Sequence, residues 1–233
     1  YSKNEYDAFG QVVRSTDSKG RETTIAYDRL GRITTKTLPD AEGTVRYEYD
    51  SHAYSKYSVG RLVRIDDPQQ EKLFRYDPRG RVVKEQRTLK ISATETKVFE
   101  TSFEYDLLNR KTRITYPRDE VTGKYTIAIY EHASQGVESI RTKTVSDNGD
   151  VDTKYIIKRI EYNEFGQMTH VERGNKTETI YEYDIKGRLT GLTTLSHAND
   201  TTKKLQDVTY QFKVDNSISQ VVNSPDLDVD GAV

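Results

Sequence analysis

The sequence contains no cysteine, and apolar residues make up only 33% of its 233 residues. The lack of cysteine excludes disulfide bonds, thiol catalysis and cysteine-ligated metal sites. Globular chains usually have an apolar share of about 45–50%. A chain of this length has room for one or two ordinary domains, so the low share is not a consequence of small size. We therefore expect a protein without a thick aliphatic core, packed through tyrosine, threonine and the stems of arginine side chains.

Long runs of like-charged residues, of apolar residues and of helical periodicity are also missing. The 36 basic and 37 acidic residues nearly cancel, and neither sign forms a long run, so nothing favours a nucleic-acid or anionic-membrane partner. No segment approaches the roughly 18 consecutive apolar residues of a membrane-spanning helix, and no signal-peptide pattern opens the sequence. Sustained 3.6-residue periodicity with helix caps is absent too. We expect little helix and no membrane span in this chain.

Tyrosine is abundant, with 17 residues, and many of these residues open a recurring phrase. The phrase begins Tyr-Asp, continues with two variable residues, and usually ends in Gly-Arg or Gly-Gln. A further copy opens at Tyr49-Asp50 and reaches Gly60-Arg61 after a seven-residue insertion. The other copies are Tyr6–Gln11, Tyr27–Arg32, Tyr76–Arg81, Tyr105–Arg110, Tyr162–Gln167 and Tyr183–Arg188, with a drifted copy at Phe212–Ser217 and a decayed one at Tyr130–Gly136.

The phrase predicts a tight chain reversal. Aspartate, two tolerant residues and glycine are typical of a type I turn whose fourth residue has positive φ, which gives a three-residue hairpin loop with a glycine bulge. Asn109 and Asn216 take the glycine position in two copies, and asparagine tolerates this backbone region well. Turns of the same formula are predicted at the opposite strand ends, at Asp17–Gly20 and Asp40–Gly43, and Asp147–Gly149 is another candidate for a tight turn. The hairpin turns are predicted near residues 7–10, 28–31, 50–60, 77–80, 106–109, 163–166, 184–187 and 213–216.

Residues before each turn alternate between apolar and mostly polar, as in Ile25-Ala26-Tyr27, and a period of two predicts a strand. The turn geometry places Tyr27 opposite Ile33 and Asp28 opposite Arg32. The predicted fold is all-β: one antiparallel meander of repeated β-hairpins over residues 1–233, forming a curved ribbon.

The phrase Tyr-Asp-x-x-Gly-Arg, preceded by aromatic-x-Tyr and followed by an aliphatic residue, resembles the YD repeat of the Rhs family. That family includes Rhs polymorphic toxins, the B and C components of Tc insecticidal toxin complexes and, more distantly, animal teneurins. The resemblance implies that the chain is a section of a hollow β-shell, and of a longer secreted or extracellular protein. Its implied partners are other segments of the same shell, the enclosed toxin polypeptide and other toxin-complex subunits. It leaves open whether the parent is of B type, of C type or an Rhs protein.

The function expected from this resemblance is structural: part of a shell that encloses a toxin polypeptide before delivery. The alternative is an extracellular repeat surface that binds glycans or proteins, because a stripe of tyrosine rings can stack on sugars. We expect neither enzymatic activity nor a cofactor. The residues expected to specify the shape are Tyr27, Asp28, Gly31, Arg32, Tyr76, Asp77, Gly80, Arg81, Tyr183, Asp184, Gly187 and Arg188.

Two further segments attract attention. The inserted loop from Ser51 to Val59, with Tyr54 and Tyr57, is either a contact surface for a partner or a tolerated insertion. Near the C-terminus, Asp226, Asp228 and Asp230 precede a glycine as in the opening of a calcium-binding loop, but the distal glutamate of such a loop would fall beyond Val233. A polar tail is the simpler interpretation. The histidines are scattered without metal-ligand spacing.

Overall fold

The computed structural model describes residues 2–39, 42–198 and 201–224. Within these ranges it contains eighteen β-strands and no α-helix. The first nine strands are β1 (Lys3–Tyr6), β2 (Val12–Thr16), β3 (Glu22–Tyr27), β4 (Ile33–Thr37), β5 (Thr44–Tyr49), β6 (Leu62–Asp66), β7 (Gln70–Tyr76), β8 (Val82–Lys90) and β9 (Thr96–Tyr105). The others are β10 (Lys111–Thr115), β11 (Tyr125–His132), β12 (Val137–Val145), β13 (Val151–Tyr162), β14 (Met168–Arg173), β15 (Thr177–Tyr183), β16 (Leu189–Ser196), β17 (Lys203–Phe212) and β18 (Ile218–Asn223).

The chain forms two compact units, one comprising Tyr1–Glu104 with Thr115–Arg118, and the other Tyr105–Ile114 with Asp119–Val233. In the first unit each strand from β1 to β8 pairs antiparallel with the next strand along the chain. In the second unit the strands from β11 to β18 do the same. The predicted all-β class and antiparallel hairpin meander are therefore confirmed.

The strand register follows the repeated phrase. Tyr27 lies opposite Ile33 and Ala26 lies opposite Thr35, so Thr34 is an extra residue without a partner in the ladder. The equivalent register shift occurs beside Tyr49, Tyr76, Tyr162, Tyr183 and Phe212. A bulge of this kind bends its strand and increases the local right-handed twist. Each of these hairpins thus carries a bulge in its returning strand in addition to the glycine or asparagine of its turn.

Few side chains are fully buried, as the composition predicts. Among the described residues of the first unit the buried apolar ones are Val63, Leu73 and Tyr76, of which only Val63 is completely inaccessible. In the second unit they are Ala128, Val171 and Val208. Most strand residues are half-buried because a single sheet layer leaves part of each face exposed. Contacts between successive hairpins must then contribute much of the stability that a thick core provides elsewhere.

Candidate functional site

The repeated turn is the first candidate site, and Asp28 organises it. The Asp28 N–H donates to the Arg32 carbonyl at 2.9 Å, and the Gly31 N–H donates to the Asp28 carbonyl at 3.0 Å. One carboxylate oxygen of Asp28 accepts the backbone N–H groups of Leu30 and Arg32, each at 2.9 Å. Gly31 has a φ of 77°, the region that glycine adopts without steric penalty. The aspartate therefore satisfies the backbone donors that the turn leaves unpaired.

The same geometry recurs where the sequence repeats. Asp77 with Gly80, and Asp184 with Gly187, make the same turn bonds, with glycine φ values of 79° and 76°. Asn109 and Asn216 take the glycine position with φ values of 65° and 67°. At the opposite strand ends, Asp17–Gly20 has these bonds too. The turn predicted at Asp147–Gly149 begins one residue earlier, at Ser146, and Asp40 and Ala41 lie outside the described residues.

An ion pair across the hairpin closes the Asp28, Asp77 and Asp184 turns. Nε of Arg32 lies 2.7 Å from a carboxylate oxygen of Asp28, and Arg81–Asp77 and Arg188–Asp184 have the same separation. The backbone N–H of Arg32 is the main cause of the lowered pKa of Asp28; desolvation opposes this effect, and the Arg32 side chain lowers the pKa further. In the neutral copy, Asn163 Nδ2 donates to Gln167 Oε1 at 2.9 Å. The pairing therefore persists where the charges are absent.

Tyrosine hydroxyls link five of the described hairpins to the one before them. The Tyr27 hydroxyl donates to the Val12 carbonyl at 2.9 Å, and Tyr183 makes the equivalent bond to Met168 at 2.9 Å. Each acceptor is the aliphatic residue that follows the preceding turn. The other links of this tyrosine ladder are Tyr49 to Ile33, Tyr76 to Leu62, and Tyr162 to Val137.

Arginine side chains provide a second link between neighbouring hairpins. The Arg32 guanidinium lies 4.4 Å from the ring centre of Tyr49, the leading tyrosine of the next copy, and also binds both carboxylate oxygens of Asp50. Arg61 lies 5.8 Å from the Tyr76 ring centre, and Arg188 lies 4.5 Å from that of Phe212. Such cation–π contacts contribute about 0.5–1 kcal/mol each at exposed sites. The arginine of the phrase thus has two roles, one within its hairpin and one toward the next.

The sequence did not predict either link. The sequence predicted the positions of Tyr27 and Arg32 within their hairpin, but it did not predict that the Tyr27 hydroxyl and the Arg32 guanidinium contact neighbouring hairpins. The regular spacing of the repeats is the signal that could have predicted these links. It places the leading tyrosine of each copy in the strand next to the residue that follows the preceding turn. The residues of one copy come together, whereas the three copies singled out from the sequence form separate, equivalent positions.

The inserted loop folds back onto its own unit. The Tyr54 hydroxyl donates to Glu100 on β9 at 3.3 Å, and burial, followed by the Glu100 charge, raises the pKa of Tyr54 to about 12. Ser58 is buried and donates to the Asp50 carbonyl at 2.7 Å. Tyr57, by contrast, is 57% exposed. Of the two tyrosines expected to contact a partner, only Tyr57 has its ring turned largely to solvent.

Two grooves open between hairpin tips, and both follow a copy that carries phenylalanine and glutamine. The first, of about 650 Å³, is lined by Asp7, Phe9, Gln11 and Tyr27. The second has the same volume of about 650 Å³ and is lined by equivalent residues of the second unit, which are Asn163, Phe165, Gln167 and Tyr183. Phe9 is 90% exposed and Phe165 is 78% exposed. Each groove therefore has an exposed phenylalanine ring beside it.

The residues that the structure describes hold no group of three or more His, Cys, Asp or Glu side chains arranged to bind a metal ion. Asp226, Asp228 and Asp230 lie outside those residues. Within the same part of the chain, no helix has the length and apolar character that a membrane span requires.

Comparison with known proteins gives two findings. A family model described as RHS Repeat matches residues 6–42, while no curated protein matches the chain. Among solved structures, the TcdB2-TccC3 crystal structure is similar with a TM-score of 0.71 and 19% identity, covering 97% of this chain and 12% of that one. The TcdB2-TccC3-Cdc42 crystal structure has a TM-score of 0.71 and 17% identity, covering 97% of this chain and 12% of that one. The structure of the Photorhabdus luminescens Tc holotoxin pore has a TM-score of 0.65 and 17% identity, with the same coverage of 97% and 12%.

At these identities the likeness to the solved structures describes the fold, and this chain spans only 11–12% of the matched chains. The family model rests on sequence and covers the first two Tyr-Asp turns. The fold likeness covers nearly the whole chain. Together they confirm the predicted resemblance to the Rhs/YD-repeat family.

Proposed function

We propose that this chain is a structural section of a hollow β-sheet shell that encloses a toxin polypeptide before delivery. The observation that carries the proposal is the tyrosine ladder, because hairpins that open with tyrosine bind their predecessors through the Tyr27-type hydroxyl as well as through the backbone. A module built this way extends by repetition, and it needs no thick core. The fold shared with the TcdB2-TccC3 structures supports the same function.

The proposal includes the setting in which such a shell works. Its partners are further segments of the same shell, the enclosed polypeptide and other toxin-complex subunits, and the parent protein is secreted. In this function the turn residues Asp28, Gly31 and Arg32 and their equivalents specify shape, and the chain performs no chemistry of its own. The similarity to a Tc holotoxin structure supports this setting.

Protease protection in the intact natural protein tests the function. We expect the enclosed polypeptide to resist an added protease while exposed linkers are cut, with fragments identified by mass spectrometry. Replacing Tyr27, Tyr49 and Tyr76 together by phenylalanine removes three ladder bonds and should increase cleavage of the interior segment. Replacing Tyr6 and Tyr57, both more than half exposed, is the matched control. An interior that is cut as fast as the linkers, or that electron cryomicroscopy shows to be absent, contradicts the proposal.

The alternative is an extracellular surface that binds glycans or proteins. The observation that favours it is the pair of exposed phenylalanine rings, Phe9 and Phe165, each beside a tyrosine-lined groove. Glycan-array binding that disappears in the Phe9→Ser and Phe165→Ser variants would support this function. Binding that persists in both variants, or no binding, would count against it.

A further inference from the structure

The groove of the first unit occupies the place that an arginine side chain fills elsewhere in the same chain. After Arg32 and Arg188, the guanidinium lies over the leading aromatic ring of the next hairpin at 4.4 and 4.5 Å. In the first copy this position carries Gln11. Its amide lies toward the Gly31 carbonyl, at 3.4 Å. Among the described residues no cation covers the Tyr27 ring, and a groove opens there.

The carboxylate of this groove also lacks its usual partner. Asp7 accepts the backbone N–H groups of Phe9 and Gln11 on one oxygen, each at 2.9 Å. At Asp28 and Asp77 the other oxygen accepts Nε of the arginine four residues later, at 2.7 Å. No side chain within residues 2–39, 42–198 and 201–224 donates to that second oxygen of Asp7. A charged acceptor and an uncovered aromatic ring therefore face one opening.

We propose that the groove lined by Asp7, Phe9, Gln11 and Tyr27 binds an arginine side chain of a partner polypeptide. The guanidinium lies against the Tyr27 ring, and its N–H groups donate to the free oxygen of Asp7. The exposed Phe9 ring covers the aliphatic stem of the same side chain. The occupant follows from the chain's own chemistry, because an arginine fills the same place after other turns. The proposal is independent of the shell function, since it requires only this groove.

The remaining charges at the groove are compatible with a cation. Asp28 also lines it, but its carboxylate is already paired with Arg32 at 2.7 Å. Of the described residues, Arg29 is the one basic side chain that lines this groove, and it is exposed at the hairpin tip. Arg32 is shared between Asp28 and Asp50, so it does not add free positive charge to the groove. The incoming guanidinium therefore lies on the Asp7 side, away from the positive charge of Arg29. Arginine fits better than lysine, because its planar group stacks on a ring and donates in a fork at the same time.

The second unit contains a natural comparison. There Asn163 replaces the aspartate and donates to Gln167 at 2.9 Å, while Gln167 donates to the Gly187 carbonyl at 2.7 Å. The groove has the same volume and equivalent aromatic residues, but it lacks a free carboxylate at the position of Asp7. We expect this groove to bind a guanidinium more weakly than the first one. Glu164 also lines the second groove, so the pair isolates the carboxylate at the Asp7 position and not acidic charge in general.

Saturation-transfer NMR on the full chain tests the proposal, with acetyl-arginine amide as the probe and acetyl-citrulline amide as its neutral analogue. We expect saturation of the arginine side chain to exceed that of citrulline. Gln11→Arg supplies the chain's own guanidinium and should abolish the excess, whereas Gln167→Arg makes the same charge change in the second groove and should preserve it. Asp7→Asn should weaken binding about two- to fivefold, the range for an exposed ion pair. Asn163→Asp should add a second site.

Each possible result of this experiment either supports or overturns the proposed arginine site. Equal saturation of the two probes, or an excess that persists in Gln11→Arg, overturns it. An excess that Gln167→Arg abolishes as well shows a general charge effect and overturns it too. Amide spectra of each variant that match the parent chain establish that a lost signal reflects the groove and not unfolding. Loss confined to Gln11→Arg and Asp7→Asn supports the proposal.

Discussion

At the scale of single residues, the turn depends on one backbone conformation and one carboxylate. The glycines of the phrase have φ values near 76–79°, where a side chain other than asparagine is strained. Asn109 and Asn216 hold the same conformation, so the chain itself shows which substitute is accepted. These features follow directly from the local sequence. They are the part of the site that sequence alone predicts well.

Gly166 isolates the backbone effect, because a Cβ built there meets no atom within 4 Å. We expect Gly166→Ala to lower the free energy of unfolding by about 1–2 kcal/mol, the penalty for a left-handed non-glycine residue. Gly166→Asn should be clearly milder. Urea denaturation followed by circular dichroism measures both. If alanine and asparagine destabilise equally, backbone strain is not the reason for glycine at this position.

The turn carboxylates should also make stability depend on pH. The backbone N–H and then the side chain of Arg188 lower the pKa of Asp184 from 3.8. The stabilisation is therefore complete above the unfolded pKa of 3.8 and is lost as pH falls through the lower folded value. We expect Asp184→Asn combined with Arg188→Gln, which copies the natural Asn163–Gln167 pair, to reduce the loss of stability between about pH 4 and pH 2.

Thermal unfolding at a series of pH values measures this effect. The reciprocal change, Asn163→Asp with Gln167→Arg, should steepen the acid dependence. Slopes that are the same in all three proteins would rule out the turn pairs as a source of acid sensitivity.

At the scale of elements, hairpins are joined by side chains whose roles the sequence could not show. The alternation of residues such as Ile25-Ala26-Tyr27 predicted the strands and the pairing of Tyr27 with Ile33. It could not predict the bulge at Thr34, because a one-residue register shift leaves no mark in the alternation before the turn. It also could not predict that the Tyr54 hydroxyl reaches Glu100, 46 residues away in the chain, since such contacts depend on the packing of several strands.

The tyrosine ladder predicts a specific difference between two tyrosines that look alike in sequence. Tyr27→Phe leaves the Val12 carbonyl without its donor, so we expect a loss of about 0.5–1.5 kcal/mol in the free energy of unfolding. Tyr6 opens the first copy, and its hydroxyl makes no bond to a described residue. Tyr6→Phe should change stability by less than about 0.5 kcal/mol. Chemical denaturation of both variants gives the comparison, and equal losses would show that the ladder bond adds nothing.

At the scale of the whole molecule, exposed apolar strand residues should favour self-association. All six residues of β18 are exposed, including Ile218, Val221 and Val222. A hydrophobic, solvent-facing strand is a ready surface for pairing with another chain. We expect the isolated chain to form concentration-dependent oligomers in analytical ultracentrifugation. Val221→Lys should shift the distribution toward monomer, because a charged residue on such a strand opposes pairing.

Lys213→Arg is the matched control, because it keeps the charge of a turn residue outside β18. A wild-type chain that stays monomeric over the whole concentration range would show that these residues do not drive association. The low apolar content predicted that many strand residues would be exposed. The composition could not predict which strand would be exposed, because burial of a strand depends on the elements that pack against it.

The Asp50–Arg61 hairpin has a practical consequence. Seven extra residues enter this copy, yet the Asp50 N–H still donates to the Arg61 carbonyl at 3.0 Å, and the flanking strands keep the register of the other copies. The ends of the loop are fixed by the neighbouring strands, so the length between them is free to vary. A protein engineer could therefore graft an epitope or a fluorescent reporter between the strands of another copy, and the rest of the array would assemble around it unchanged.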